Sequence, residues 1–476
     1  MPDKVGPWEF WREVLKSPRY VLAPMVDASE LAWRLLSKRY GAQLVYTPMF
    51  HAVNFVRDQR YRSDHLHTCP EDHPLIVQFC ANDPEVLVQA GKLAEPYCVA
   101  VDLNLGCPQA IAKRGRYGSF LQDEWELIRK MVEMASKELK VPITCKIRVF
   151  PDVEKTIAYA KMIERAGCYA LTVHGRTREQ KGRDTGLADW EQIKAVKKAV
   201  NIPVIANGNI QYLSDADRCL METGVDAVMT AEGNLTNPAI FHGIQPPVWE
   251  MAEEYIEILE KYPCNLSYSR GHLFKMFNHC FTLPECCEIR QLLARASDLY
   301  DLREVCVALR NHFQKYVDGS EQWSSEGSTL KFPPWICQPY VRPPVKPPSI
   351  EEVSTEKTEE ESNPIKEGRK RLEPERQTGE DGEIVLSKKK AKKLLKNPNF
   401  IFKPDRKPIG KCASCRNQMG TKCAYSRCKK CCHDHCSVNV FDCTGHNILI
   451  KTKMEKAMKI TNNNPVRSSN LPSTQS

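Results

Sequence analysis

The chain has 476 residues, of which 42% are apolar and 27% charged, and a formal net charge of +9. That length permits two or three domains around a large core, and the basic excess permits a polyanionic partner without establishing one. The first twenty residues hold no apolar leader, and no apolar run reaches the ~18 residues that a membrane span needs. A reducing compartment, cytoplasm or nucleus, is expected, with no membrane partner and a monomeric chain. The 21 cysteines are then not expected to form disulfides.

Short apolar runs that read as buried parallel strands alternate with segments of helical period. The runs fall at 20–26, 44–50, 74–80, 98–106, 143–150, 168–175, 202–209 and 226–233. Between them, 30–41, 84–95, 125–140 and 153–167 carry strong helix formers with apolar residues three and four apart. Eight such units in about 240 residues suit a closed (β/α)8 TIM barrel. A doubly wound open sheet is the alternative, but it normally shows a G-x-G-x-x-G turn after its first strand, and none follows Val26. The stretch 51–73 is rich in Arg, His and Asp, lacks a clean helical period, and reads as a long irregular rim loop.

After Phe241 the pattern turns helical only, including one run over 288–317. Beyond the Pro-rich QPYVRPPVKPP the sequence is charged and poor in apolar residues, which predicts disorder. Its KKKAKK stretch reads equally as a nuclear-import or RNA-contact patch and as a solvated linker. The expected plan is a barrel over 1–243, an all-helical domain over 244–340, a disordered linker over 341–405, a Cys/His module over 406–450 and a disordered tail over 451–476.

Eight cysteines crowd between Cys412 and Cys443. The candidate ligands are Cys412, Cys415, Cys423, Cys428, Cys431, Cys432, Cys443 and His446, enough for two zinc ions. Cys436, His433 and His435 are spare, so the spacing alone leaves the set open. So small and polar a segment cannot bury a core, and metal would supply its folding energy. A closed Cys/His set leaves no open position for substrate, so the module reads as a nucleic-acid or protein adaptor. Its spacing resembles the RING-like zinc modules of plant short-internodes-type proteins, which have a shorter gap before the last cysteine.

In a barrel of this kind the chemistry sits where strands end and βα loops begin. Lys146 lies inside the apolar run ITCKIRVF, where an ammonium is costly without an anionic partner. A reduced flavin is one such partner, and a salt bridge to a core acid such as Asp102 is the other reading. Glycine turns at 207–209 and 231–234 follow strands seven and eight, where backbone N–H groups often hold a phosphate. FMN would satisfy both observations. Cys107 follows Gly106 and precedes Pro108 at the end of strand four. A thiol at such a turn can act as a general acid.

The segments VLAPMVDASE, VQFCANDPE, DLNLGCPQ, KIRVF, TVHGRTREQ and IANGNI, in this order on successive strands, resemble the tRNA-dihydrouridine synthases over roughly 18–320. The AEGN turn resembles the eukaryotic branch that acts at positions 16 and 17 of the D-loop. The resemblance implies FMN, with NADPH or NADH as reductant and tRNA as substrate. It implies Cys107 as the proton donor. It implies cofactor contacts from Pro24, Met25, Val26, Gln78, Lys146, His174, Asn207, Gly208, Asn209, Ala231, Glu232 and Gly233. Asn104 and Arg176 become contacts to the flavin or the substrate base. Many relatives carry Gly-Arg-Gly in the last turn, where this chain has Glu232, so the phosphate is expected to rest on backbone amides or on another cation. The reaction implied is hydride addition to carbon 6 of uracil and protonation of carbon 5. Arg290, Arg295 and Arg303 on the helical part read either as tRNA-backbone contacts or as a solvated face. An FMN barrel acting on free pyrimidines and a non-catalytic RNA adaptor are the competing readings.

Overall fold

The computed structural model describes residues 5–341 except 325 and 326, and 410–455 except 416–418, 421, 422, 447 and 453. It divides into two compact units, Met1–Glu356 and Lys357–Ser476. All of the predicted linker but Val341, including its KKKAKK stretch, and all but the first residues of the predicted tail lie outside the described residues.

In the first unit eight parallel strands form a ring. They are β1 (Tyr20–Leu22), β2 (Leu44–Tyr46), β3 (Leu75–Cys80), β4 (Ala100–Leu105), β5 (Ile143–Arg148), β6 (Leu171–His174), β7 (Val204–Asn207) and β8 (Ala227–Thr230). Strand β1 is bonded on both sides, with Val21 opposite Leu44 and Leu22 opposite Thr230, so the sheet closes and an open doubly wound sheet is ruled out. Strand β2 resumes as Phe50–His51 beyond Pro48 and pairs again with β3, Phe50 opposite Phe79. Most strands are shorter than their apolar runs, because the last residues of each run leave the ladder to build the rim. In β1 the cause is Pro24, which has no N–H to give to a neighbour.

The barrel lumen is apolar at one end and polar at the other. Val21, Leu44, Ile76, Ala100, Ile205 and Met229 pack inside it against Phe10, Trp11 and Leu15, so the N-terminal segment plugs the bottom. Higher in the lumen the inward positions become Gln78, Asp102, Asn104, Thr144, Lys146 and Asn207. Residues on the outward pleat, such as Val45, Val77, Leu103 and Val173, pack under the surrounding helices. This inside–outside alternation with period two is what a strand buried on both faces requires.

The stretch 51–73 corrects the sequence expectation of an irregular loop. It holds two short helices, Ala52–Arg57 and Gln59–His65. Asp58 separates them with extended backbone and caps the second by accepting from the N–H groups of Arg60 and Tyr61. One break within fourteen residues hides the helical period. The end of the stretch is fixed by Asp72, which takes three hydrogen bonds from the Arg34 guanidinium at 3.0, 3.2 and 2.6 Å in full burial. Removing one partner of such a pair strands a buried charge, at a cost of order ~3–5 kcal/mol.

Four helices follow the barrel, Val248–Lys261, Leu266–Met276, Cys287–Arg295 and Leu299–Val317. The predicted run 288–317 is thus two helices, parted where Asp298 caps the second by accepting from the Asp301 N–H at 2.9 Å. The helices dock on the barrel through buried polar bonds. His272 Nε2 meets Glu30 at 3.0 Å, Tyr255 donates to Glu30 at 2.6 Å, and His272 stacks on Trp33. The chain then returns, and Ile336 bridges to Pro247. Among the described residues no helix is long and apolar enough to cross a membrane.

Candidate active site

Cys107 occupies a turn that three other elements hold in place. The Asn104 side-chain carbonyl accepts from the N–H groups of Gly106 and Cys107 at 3.1 and 2.9 Å, an arrangement natural to an Asn at a strand end. The Cys107 carbonyl accepts from the N–H and hydroxyl of Ser119 at 3.1 and 3.0 Å. Arg148 Nε donates to the Gly106 carbonyl at 2.9 Å, and its Nη1 reaches the carbonyls of Thr177 and Gln180. Gly118, at φ +64°, passes so close that a Cβ there would lie 2.8 Å from the Cys107 carbonyl oxygen. The half-buried thiol packs among Met49, Cys80, Tyr117 and Phe120.

Beside this turn Lys146 pairs in register with Asn104 and donates to the Asn207 side-chain carbonyl at 2.8 Å. It forms no ion pair among the described residues. The salt bridge to Asp102 considered from the sequence is not formed. Asp102 accepts instead from Thr144 at 2.6 Å and from Gln78 at 2.8 Å. Burial brings the Lys146 ammonium down to about 8, aided by the Arg148 charge and opposed by Asp102 and Cys107. Burial also raises the Asp102 carboxyl to about 6. His174 is held well below its usual range by burial and by Lys146, Arg148 and Arg176 around it, so the ring is neutral. Its Nε2 then accepts from Arg176 Nη1 at 3.0 Å, and Arg176 Nη2 donates to Asn209 at 2.9 Å.

A cavity of about 920 Å³ opens over the ends of β6, β7 and β8. Of the residues singled out from the sequence, His174, Arg176, Asn207, Gly208, Asn209, Ala231, Glu232 and Gly233 line it. Lys146 touches it through Asn207. Gly208 has φ +113°, and a Cβ there would sit 2.6 Å from the Ala188 Cβ; one on Gly233 would sit 2.4 Å from the Ile210 carbonyl oxygen. Only glycine lets these two backbones come so close to the cavity wall. Pro24, Met25 and Val26 stand apart on the β1 loop, where Met25 N–H donates to Ser29 and Val26 is exposed. Gln78 lies deeper, fully buried, with its amide bonded to Asp102 and Asn104.

The sequence profile of the family described as dihydrouridine synthase (Dus) matches residues 21–318, through the whole ring and all four helices. The chain belongs to the dihydrouridine synthase family. A mouse protein named tRNA-dihydrouridine(16/17) synthase-like, with NAD(P)(+) in its name, is 51% identical over 461 residues, 96% of this chain and 93% of that one. The tRNA-dihydrouridine(16/17) synthases of Schizosaccharomyces pombe and Saccharomyces cerevisiae are 44% and 46% identical, over 68% of this chain and 88% and 84% of theirs. The mouse match is long enough to enter the cysteine module, whereas the yeast matches are little longer than the barrel and helices.

Several residues of this candidate site carry no signal in the sequence. Arg148, Gly118 and Ser119 shape the Cys107 turn from elsewhere in the chain, and Gln122 secures Arg148 by donating to its carbonyl at 3.1 Å. Trp190, whose Nε1 donates to the Gly208 carbonyl at 3.1 Å, and Lys331 and Tyr340 line the cavity from segments that read as connections.

In the second unit the eight predicted ligands fall into two sets. Cys412, Cys415, Cys428 and Cys431 form one, and Cys423, Cys432, Cys443 and His446 the other, with the ligand atoms of each set within 4.8 Å of one another. Cys415 and Cys428 sulfurs are 3.6 Å apart, and those of Cys423 and Cys432 3.5 Å. Four thiolates around one tetrahedral zinc would stand about 3.8 Å apart, so both sets fit that ion. Adjacent Cys431 and Cys432 open the helix Lys429–Asn439 and face different sets, which ties the two sites together. Cys436, buried 4.0 Å from the Cys432 sulfur, belongs to neither.

Proposed function

We propose that this synthase reduces uridine to 5,6-dihydrouridine in tRNA, at positions 16 and 17 of the D-loop, with FMN as cofactor and NADPH or NADH as reductant. The observation that carries the reading is the Cys107 thiol, braced at the barrel mouth beside a buried ammonium that among the described residues bonds only an amide. The names of relatives matched over most of their length support the substrate, the positions and NAD(P).

The residues present fit a flavin mononucleotide. Lys146 is a cation that burial leaves in want of an anion, and the turns at Gly208 and Gly233 line the cavity, where backbone N–H groups can meet a phosphate. Reduced FMN, when bound, supplies the hydride that carbon 6 of the uracil accepts. The target base leaves its stack to reach the barrel mouth. Cys107 gives its proton to carbon 5, the S–H bond breaking as the new C–H bond forms, and water restores the thiol. Asn104, with its carbonyl holding the Cys107 turn, keeps that thiol aimed. Lys146 would hold the cofactor with its buried ammonium, and Arg176, fixed by His174 and Asn209, would hold the base or the flavin. Arg290 and Arg295, on the outer helix Cys287–Arg295, serve the tRNA backbone better than Arg303, which pairs with Glu260 at 2.7 Å. In the second unit the two ligand sets hold two zinc ions and make an adaptor for RNA or protein.

The test is to expose unmodified tRNA to the flavin-loaded protein with NADPH and map mass increments of two hydrogens by nuclease digestion. Dihydrouridine at 16 and 17 is expected. Product elsewhere would overturn the positions, and none at all the activity.

A further inference from the structure

We propose that Lys331 supplies the cation for the cofactor phosphate, from a strap that lies outside the part of the chain the family profile matches. This rests on the flavin reading of the barrel. The strap returns after the last helix and is pinned. Gln338 donates to the carbonyls of Phe332 and Pro333, both at 2.9 Å, the Cys337 N–H reaches the Pro246 carbonyl at 2.9 Å, and His279 bonds the Pro339 carbonyl at 2.9 Å. Lys331 thereby lines the same cavity as the turns holding Gly208 and Gly233. Its ammonium stands 4.8 Å from the Tyr212 ring centroid and 5.4 Å from that of Phe332. Tyr212 opens the helix that follows the β7 turn, so this contact places the charge on the β7 side of the cavity.

The other cations of the cavity wall are engaged elsewhere. Arg148 holds three backbone carbonyls, Lys181 donates to the Pro108 carbonyl at 2.9 Å, and Arg218 pairs with Asp215 at 3.2 Å. Arg176 is tied to His174, Asn209 and the Gly186 carbonyl. Lys331 makes no ion pair among the described residues; only ring faces hold it. A phosphate against the β7 and β8 turns needs a cation whose N–H groups are not already committed to the protein, and Lys331 lines the same cavity. A lysine on a four-carbon stem meets phosphate as a mobile point charge, and a short swing off the Tyr212 face brings it to one.

The experiment strips flavin from the full-length wild-type protein and the Lys331→Gln and Lys331→Arg variants, and titrates each with FMN and with riboflavin, which lacks the phosphate, reading flavin fluorescence. Lys331→Gln is expected to weaken FMN ~10-fold, a change of about 1.4 kcal/mol, leave riboflavin unchanged, and lose its effect on FMN when Arg stands there instead. Equal affinity of wild type and Lys331→Gln for FMN, or equal weakening of both flavins, would overturn the assignment. A wild-type protein that binds neither flavin would instead bring down the flavin reading on which it rests.

Discussion

Lys146 illustrates how a single group carries both a cost and a use. In the flavin-free fold its ammonium is brought down to about 8, whereas an unfolded chain holds it near ~10.4. Below about pH 8 both states keep the proton and the cost of enclosing the charge is constant. Between about 8 and ~10.4 the unfolded chain binds more proton than the folded one, so stability attributable to Lys146 rises with pH. Melting the flavin-free wild type and Lys146→Met across pH 7–10 should show this: the difference in their stabilities narrows as pH rises through that window. A difference independent of pH would place the Lys146 charge in water. The flavin-loaded protein should behave oppositely, holding reduced flavin less tightly above about pH 8 as the cation is lost.

At the scale of elements, what could be read in advance followed from periodicity. Each strand is buried on both faces, so it appears as a continuous apolar run, and all eight runs hold a strand of the ring. The stretch 51–73 was opaque because Asp58 interrupts it before either helix completes two turns. Candidate site residues at strand ends stood out too, since a Lys or Asn inside an apolar run is conspicuous. Bracing residues were not. Gly118 and Ser119 act through backbone contacts with Cys107, and nothing in a sequence announces that two turns will touch. Lys331 was hidden for a related reason: it belongs to a segment that looks like a tether and becomes part of the cavity only once Gln338 folds it back. The eight metal-ligand candidates were readable as a set, but their division was not. That division depends on Cys431 and Cys432, neighbours in the chain, facing opposite sites at the start of one helix.

For the whole molecule, the two units draw their stability from different sources. The first buries a large apolar core, while among the described residues of the second the apolar cluster is small, built on Cys432, Cys436, Cys443 and Ile448. A core that small does not outweigh chain entropy, and zinc bound at the two ligand sets would supply the missing folding energy. Treating the zinc-loaded protein with a strong chelator should abolish helical signal from Lys429–Asn439 and release two equivalents of zinc, with the barrel's thermal transition unmoved. Release of zinc with the module's fold intact would remove metal from its stability. In the function proposed above, the barrel performs the reduction and the module would serve as an adaptor. The claim at its centre is that Cys107 gives the proton, and it is tested most directly by mixing flavin-reduced protein with tRNA in the absence of oxygen and following flavin reoxidation. Wild type should reoxidise with formation of dihydrouridine, whereas Cys107→Ala should bind flavin and accept electrons from NADPH normally yet stay reduced, at least ~100-fold slower than wild type. Reoxidation of Cys107→Ala at the wild-type rate would contradict the account.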